Sequence, residues 1–404
     1  MGKGSLVAGV DVGSNSVKAV VARRTPQGLE VVGSSIVYSS GMRRGIVIDI
    51  EGVVKSVRQA LSDLERSCQV KLQRVNISVN GTHLALRPTR GVVAVALADG
   101  EITNDDVVRV IGAAKTISLP PNREVLQVVP KEFVIDGEGG IKEPVGMHGV
   151  RLEVSAFIID GSTSFIKNLR KSVEAANLSV KSLVVAPLAA SRACLNKRQK
   201  ELGVVVVDIG AGTTSIAVFE EGDLAHEQIL PLGADAITTD LALKMKTSVD
   251  LAERIKVDYG MCVPKEVPRK DVIDLSLLGE EASGTITRKE VARIVESRTK
   301  EILEGVHKEL KKISRAGLLP AGAVLVGGGA KVPGITELAR EVLKLPVQVG
   351  FPQEFSGPIE IIDDPRLAVA AGLVLWGNDS ESAGVQFEGG AWGWLKKIFR
   401  IFVP

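Results

Sequence analysis

The stretch VVVVDIGAGTTSIAVFEEGDLAHEQIL, residues 204–230, decides how this chain is read. A β-branched run enters an Asp-x-Gly turn, crosses small and hydroxyl-bearing residues and leaves on a second β-branched run, the pattern of two strands with a tight connection. VAGVDVGSNSVKAVVARRTPQGLEVVGSSIV, residues 7–37, aligns with it without a gap, Asp11 over Asp208 and Gly13 over Gly210. Two hairpins in one register imply two similar lobes.

Glycine in such turns tolerates positive φ and lets backbone N–H groups approach an anion with no Cβ in the way. The first turn offers Gly13, Ser14, Asn15 and Ser16; the second offers Gly210, Ala211, Gly212, Thr213 and Thr214. A carboxylate beside a phosphate repels it, so Asp11 and Asp208 make sense if a hydrated Mg²⁺ lies between. Lys18 is placed to neutralise a phosphate oxygen. A third segment, AVLVGGGAKVPGITELAREVL at 323–343, reads as a strand, the turn Gly327-Gly328-Gly329 and a helix opening near Pro333, a context suited to nucleotide contact at a helix N-terminus. A lone Asp-x-Gly turn is usually only a hairpin, and a lone Gly-Gly-Gly is little more specific. The ordered constellation of all three carries the argument.

Composition sets the bounds. With 404 residues, 45% of them hydrophobic, the chain can bury more than one core and should divide into domains. Its 50 basic and 48 acidic residues nearly cancel, which gives no electrostatic case for nucleic-acid binding. Cys68, Cys194 and Cys262 are too few and too scattered for a disulfide framework or clustered metal site, and a reducing cytosol fits best. No signal peptide is read at the N-terminus, and no run approaches the roughly 20 apolar residues that span a bilayer.

Two in-register turns followed by a glycine-rich loop resemble the phosphate 1, phosphate 2 and adenosine segments of the actin, Hsp70 and sugar-kinase superfamily. The likeness covers nearly the whole chain and implies an α/β fold: duplicated actin-like (ribonuclease H-like) lobes around an ATP cleft. KTSVDLAERIKVDYG, residues 246–260, looks like the adenosine-side helix, so Glu253 and Lys256 would face ribose or base; their i, i+3 spacing gives them one helix face, and a surface ion pair fits that spacing equally well. LVVAPLAASRA at 183–193 and IDDPRLAVAAGLVLW at 362–376 resemble the two helices that pass between lobes, with small residues allowing close contact and shear. Superfamily members that hydrolyse ATP efficiently place a Gln or acid on the first of these helices. Here the positions are apolar or small, so tight ATP binding with weak or no turnover is expected, and no catalytic residue is assigned.

The segment 82–159 has no counterpart in the second half and reads as an inserted α+β subdomain. GVVAVALADGEITNDDVVRVIGAAKTI (91–117) gives a strand and a helix capped near Thr103 or Asn104, and REVLQVVPKEFVID with RLEVSAFII gives further strands. VNGTHLAL and EPVGMHGVRLEV within this region resemble the insertion of the bacterial cell-division FtsA family. That resemblance implies a protein that polymerises on the cytoplasmic face of the inner membrane at the division site. It also implies tethering of the tubulin-like FtsZ by its C-terminal peptide and recruitment of later division proteins. On it, the first lobe comprises residues 1–81, 160–195 and 365–377, the core of the second lobe 196–246 and 320–364, and its smaller subdomain 247–319. Within the last, Val291, Ile294, Val295, Ile302 and Val306 form an apolar stripe. Arg298, in an ESRxxEI segment, matches a residue the family uses against FtsZ.

Two of the three tryptophans and two of the nine phenylalanines fall in the closing stretch, as Trp392, Trp394, Phe399 and Phe402. At 100° per residue Trp394, Leu395, Ile398, Phe399, Ile401, Phe402 and Val403 fill one arc, while Lys396, Lys397 and Arg400 fill the rest. Residues 378–391 read as a flexible linker and 392–404 as a helix lying in a membrane interface, cations toward anionic lipid. A terminal helix docked on the protein's own core or on a partner is the alternative. Burying about six large side chains at ~1.5–3 kcal/mol each, against ordering at ~1–2 kcal/mol per residue, leaves a single tail weakly bound, so a polymer's many tails would hold it. Rival readings are an ATP-dependent enzyme of the same superfold, such as a sugar kinase or Hsp70-like chaperone, and a PilM-like pilus assembly protein.

Overall fold

The computed structural model describes residues 5–268, 270–278 and 284–382. Its organisation repeats. In the first lobe β1 (Leu6–Val12), β2 (Ser16–Thr25) and β3 (Gly28–Tyr38) form an antiparallel meander, and β6 (Arg74–Val79) and β11 (Ser179–Val185) add parallel strands beside β1. A short strand, β19 (Phe355–Ser356), closes the far edge. The second lobe has the same order: β12 (Val204–Ile209), β13 (Thr214–Glu220) and β14 (Asp223–Leu230) as a meander, then β17 (Ala323–Val326) and β18 (Val347–Val349) in parallel beside β12. The central strands are buried on both faces and read as continuous Val and Ile runs for that reason.

Between β3 and β6 the chain makes a small hairpin, β4 (Met42–Arg43) with β5 (Ile46–Val47), and the helix α1 (Ile50–Cys68), whose N-cap Asp49 accepts the N–H groups of Glu51 and Gly52. The insertion is a separate four-stranded antiparallel sheet, β7 (Ala85–Ala94), β10 (Arg151–Ser162), β8 (Arg123–Ile135) and β9 (Glu138–Ile141) in spatial order. Across it lies α2 (Asn104–Ala114), capped by Thr103 in a reciprocal box with Asp106. Ile102, Val110, Ile111, Phe133 and Leu152 give this unit its own core. Helix α3 (Thr163–Glu174) then returns the chain to the first lobe.

Two helices join the lobes. α4 (Ala186–Cys194) and α10 (Ala368–Ser382) pack on one another, and Gly372 sits so close to α4 that a β-carbon there would collide with the Ala189 carbonyl oxygen. α10 also covers the first sheet through Ala370, Leu373 and Val374. The reading of 378–391 as a flexible linker needs correction at its start: α10 runs to Ser382, and Arg24 donates to Asn378 Oδ1 at 2.8 Å and Arg192 to Asp379 Oδ2 at 2.9 Å. Cations on β2 and α4 extend the helix beyond the apolar pattern. The later linker positions and the segment 392–404, with Trp392, Trp394, Leu395, Lys396, Lys397, Ile398, Phe399, Arg400 and Phe402, lie outside the described residues. No helix among the described residues is long and apolar enough to cross a membrane.

The second lobe carries α5 (Lys197–Leu202), α6 (Asp235–Met245), α7 (Val249–Tyr259), the hairpin β15 (Val272–Asp274) with β16 (Thr285–Thr287), α8 (Arg288–Lys312) and α9 (Ile335–Leu343). Val291, Val295, Ile302 and Val306 of α8 are buried in its core, and Ile294 packs against them.

Candidate nucleotide site

The twin turns have the same backbone bond. Gly13 N–H donates to the Ser16 carbonyl at 3.1 Å, and Gly210 N–H to the Thr213 carbonyl at 3.0 Å. Each turn hangs from a central strand, so the two sheets aim them at one another across a cavity of about 530 Å³, a volume typical of small-molecule sites. Its wall includes Asp11, Gly13, Ser14, Asn15, Ser16 and Lys18 from the first lobe. The second lobe contributes Asp208, Gly210, Ala211, Gly212, Thr213, Glu253, Lys256, Gly327, Gly328 and Gly329. Thr214 stands apart from these: it begins β13 fully buried, and its hydroxyl donates to the Leu232 carbonyl at 2.8 Å. Alternation along the strand turns Thr214 away from the face that Thr213 presents.

Strand register fixes the first carboxylate. Asp11 pairs across the hairpin with Lys18, whose Nζ donates to Asp11 Oδ2 at 2.9 Å, while Ser78 on β6 donates to Oδ1 at 2.7 Å. The Asp208 side chain is pressed by Gly327, whose φ of 84° and close approach leave no room for a β-carbon beside Oδ1. Burial, and then the charge of Asp11, push the Asp208 carboxyl up to about 6, with Lys18 opposing. Two carboxylates thus share one electrostatic site.

At the α7 wall the i, i+3 pair is real and is tied into the lobe: Lys256 Nζ donates to Glu253 Oε2 at 2.6 Å and to Thr238 Oγ1 at 2.9 Å. Beyond the glycine loop, Lys331 donates to Asp364 Oδ2 at 2.9 Å, and Arg366 caps the same carboxylate from the segment leading into α10. Burial alone would raise Asp364; hydrogen bonds from the Arg366 side chain and N–H, and from Lys331, instead hold it down to about 2. Gly327 N–H donates to the Pro365 carbonyl at 2.9 Å, a second tie between glycine loop and α10 segment.

Sequence reasoning missed Asn80, Gly45, Lys331 and Arg366, all on the cavity wall. Asn80 Oδ1 accepts from Ser215 Oγ at 3.2 Å and so joins the lobes directly. Lys331 follows the glycine triplet by two positions, and the other three belong to no repeated or glycine-rich pattern. The VNGTHLAL stretch holds Asn80 beside a turn glycine, the one other signal available.

Arg298 lies elsewhere, on the exposed side of α8. Its guanidinium grips Asp240 of α6 at 2.5 and 3.0 Å and Glu301 at 2.5 Å, bonds that raise its pKa above the ordinary arginine value.

Comparison with known proteins places this geometry. The sequence model of the family described as "Cell division protein FtsA" matches residues 205–372, and that of the "SHS2 domain inserted in FTSA" matches 81–160. The cell division protein FtsA of Bacillus subtilis is 36% identical over 374 residues, covering 93% of this chain and 84% of that protein. Its counterpart in Escherichia coli K12 is 32% identical over 414 residues, covering 98% of each. Among solved structures, the PilM-PilN type IV pilus biogenesis complex superposes with a TM-score of 0.63 at 16% identity, covering 92% of this chain and 98% of that one. MreB5 of Spiroplasma citri bound to ADP gives 0.54 at 14%, covering 93% and 97%. At such identities the structural likeness concerns the fold.

Proposed function

The chain belongs to the FtsA family of cell-division proteins, and from that premise we propose that it binds ATP in the cavity and polymerises on the cytoplasmic face of the inner membrane at the division site. There it tethers FtsZ filaments and recruits later division proteins. The observation that carries the nucleotide part is the pair of turns closed by the same backbone bond and facing one another, one from each lobe, with Asp11 and Asp208 at their roots.

In this reading the N–H groups of both turns, with Ser14, Ser16 and Thr213, take the phosphates, and Glu253 and Lys256 face ribose or base. The two carboxylates fit a divalent cation: burial first and then the charge of Asp11 push the Asp208 carboxyl up to about 6, and a cation held by the pair would relieve that. Bound Mg²⁺ supplies charge neutralisation of the triphosphate. Among the described residues no cluster of three or more His, Cys, Asp or Glu is able to hold a metal, so water and phosphate oxygens would complete the shell around the two carboxylates.

Since each lobe brings one turn, occupancy ties the lobes together and sets their closure, and the small residues where α4 meets α10 permit the shear this requires. Turnover is slow: α4 opens with Ala186, Pro187, Leu188 and Ala189, which offer no group to position an attacking water. Arg298, on a face away from the cavity, takes the FtsZ C-terminal peptide. Segment 392–404 lies in the membrane interface, and the polymer's many copies make weak single tails sufficient.

Electron microscopy on anionic lipid monolayers with ATP and Mg²⁺ tests this. The full chain should form lipid-bound filaments, and a chain ending at Ser382 should leave the lipid bare. Equal coating by the shortened chain would refute the membrane role of the tail.

A further inference from the structure

The hairpin of β4 and β5 leads into α1, and its tip reaches the seam between the twin turns. Arg44 and Gly45 form that tip with φ of 48° and 79°, Arg44 being one of the few non-glycine residues in the left-handed region. The hairpin is fixed from three sides. Met42 and Val47 are buried in the first-lobe core, Ile48 N–H donates to the Gly41 carbonyl at 2.8 Å, and Gly45 N–H donates to Ser14 Oγ at 3.1 Å. Opposite stands the second lobe: a β-carbon built on Gly212 would lie 3.1 Å from the N and Cα of Arg44 and 3.1 Å from Ser14 Oγ. Ser14, Gly45 and Gly212 all line the cavity.

Charge distinguishes Arg44 from the cations within. Each lysine and arginine on the cavity wall faces a carboxylate of this chain: Lys18 meets Asp11, Lys256 meets Glu253, and Lys331 and Arg366 share Asp364. The Arg44 side chain is exposed, and among the described residues its guanidinium has neither hydrogen bond nor ion pair. A cation held at the rim by a locked, left-handed backbone, and left uncommitted, is arranged for a ligand that arrives with its own negative charge.

Resting on the reading of the cavity as a nucleotide site, we infer that Arg44 is a specificity-determining residue. Its guanidinium engages the terminal phosphate of a nucleoside triphosphate at the seam of the two turns, so the cavity distinguishes triphosphate from diphosphate. A diphosphate lacks the group that Arg44 reaches. Arginine suits the task because its planar fork meets two phosphate oxygens at once, which lysine does not.

The test is calorimetric titration of the full chain with ATP and with ADP, each with MgCl₂, in native protein and in Arg44→Gly, Arg44→Lys and Arg43→Ala. Glycine relieves the left-handed backbone, so loss of binding in Arg44→Gly is not loss of folding, and its melting temperature without nucleotide verifies this. ATP should weaken roughly ten- to hundredfold in Arg44→Gly while ADP stays within about twofold. Arg44→Lys should recover part of the loss, and Arg43→Ala, which removes the same charge one residue away, should change little. Equal weakening of both nucleotides, no weakening of either, or an equal effect of Arg43→Ala overturns the proposal. Failure of the native protein to bind either nucleotide overturns the cavity reading itself, and Arg44's role with it, before any substitution is considered.

Discussion

Replacing Asp208 by asparagine should make the nucleotide-free protein more stable while weakening its hold on Mg·ATP. The Asp208 carboxyl is pushed up to about 6 from an ordinary value of 3.8, by burial first and then by Asp11. A shift of that size, at about 1.4 kcal/mol per unit, sets a ceiling of roughly 3 kcal/mol on the penalty. Because Asp208 lines the cavity and keeps some contact with water, a figure of about 1–3 kcal/mol is the working expectation.

The sign follows from the direction. A carboxyl raised in the folded state carries no penalty below its unfolded value near 4; stability is lost as pH climbs from about 4 to about 6, and the full penalty persists above that. Asparagine keeps the shape and removes the charge. Melting of the nucleotide-free protein should therefore show the variant ahead by several degrees at about pH 7.5, with the gap closing as pH falls toward about 4.5. Calorimetry should show Mg·ATP bound at least about tenfold more weakly, since one of the two carboxylates proposed to hold the cation is gone. A variant less stable at neutral pH, or a gap indifferent to pH, would refute the electrostatic reasoning.

Two further outcomes follow from packing and from surface charge. Gly372→Val pushes a branched side chain into the Ala189 carbonyl where α10 crosses α4, and should destabilise by about 2 kcal/mol or more, read as a lowered melting temperature; an unchanged value would mean the helices part at little cost. Arg298→Glu should abolish binding of the FtsZ C-terminal peptide, measured by fluorescence anisotropy, while lowering the melting temperature only modestly, because the half-exposed ion pairs with Asp240 and Glu301 contribute about 0–1 kcal/mol each and the repulsion that replaces them is screened by solvent. Peptide binding that survives charge reversal would remove Arg298 from that role.

The duplicated lobes were legible because their signal is local. Two Asp-x-Gly turns between β-branched runs specify hairpins through turn chemistry alone, and Asp11 and Asp208 end central strands in both sheets. The capped helix beginning after Thr103 and the apolar stripe of α8 were likewise visible from cap residues and a 3.6-residue period. What escaped was assembled by topology. Asn80, Lys331 and Arg366 converge from segments far apart in the chain, and the Arg44 hairpin is too short to show alternation. Thr214 was grouped with Thr213 by composition, although one step along a strand reverses the face. The start of the expected linker looked flexible from its polar residues, yet Arg24 and Arg192 hold Asn378 and Asp379 in helix by contacts no local pattern announces.

The proposed function requires a metal-chelated triphosphate gripped between the twin turns. A structure of the full chain determined with Mg²⁺ and a non-hydrolysable ATP analogue tests it most directly. Phosphates should lie against the backbone of Gly13–Ser16 and Gly210–Thr213, with the cation between Asp11 and Asp208. An analogue bound elsewhere, or a cavity holding only water at saturating analogue, would contradict it.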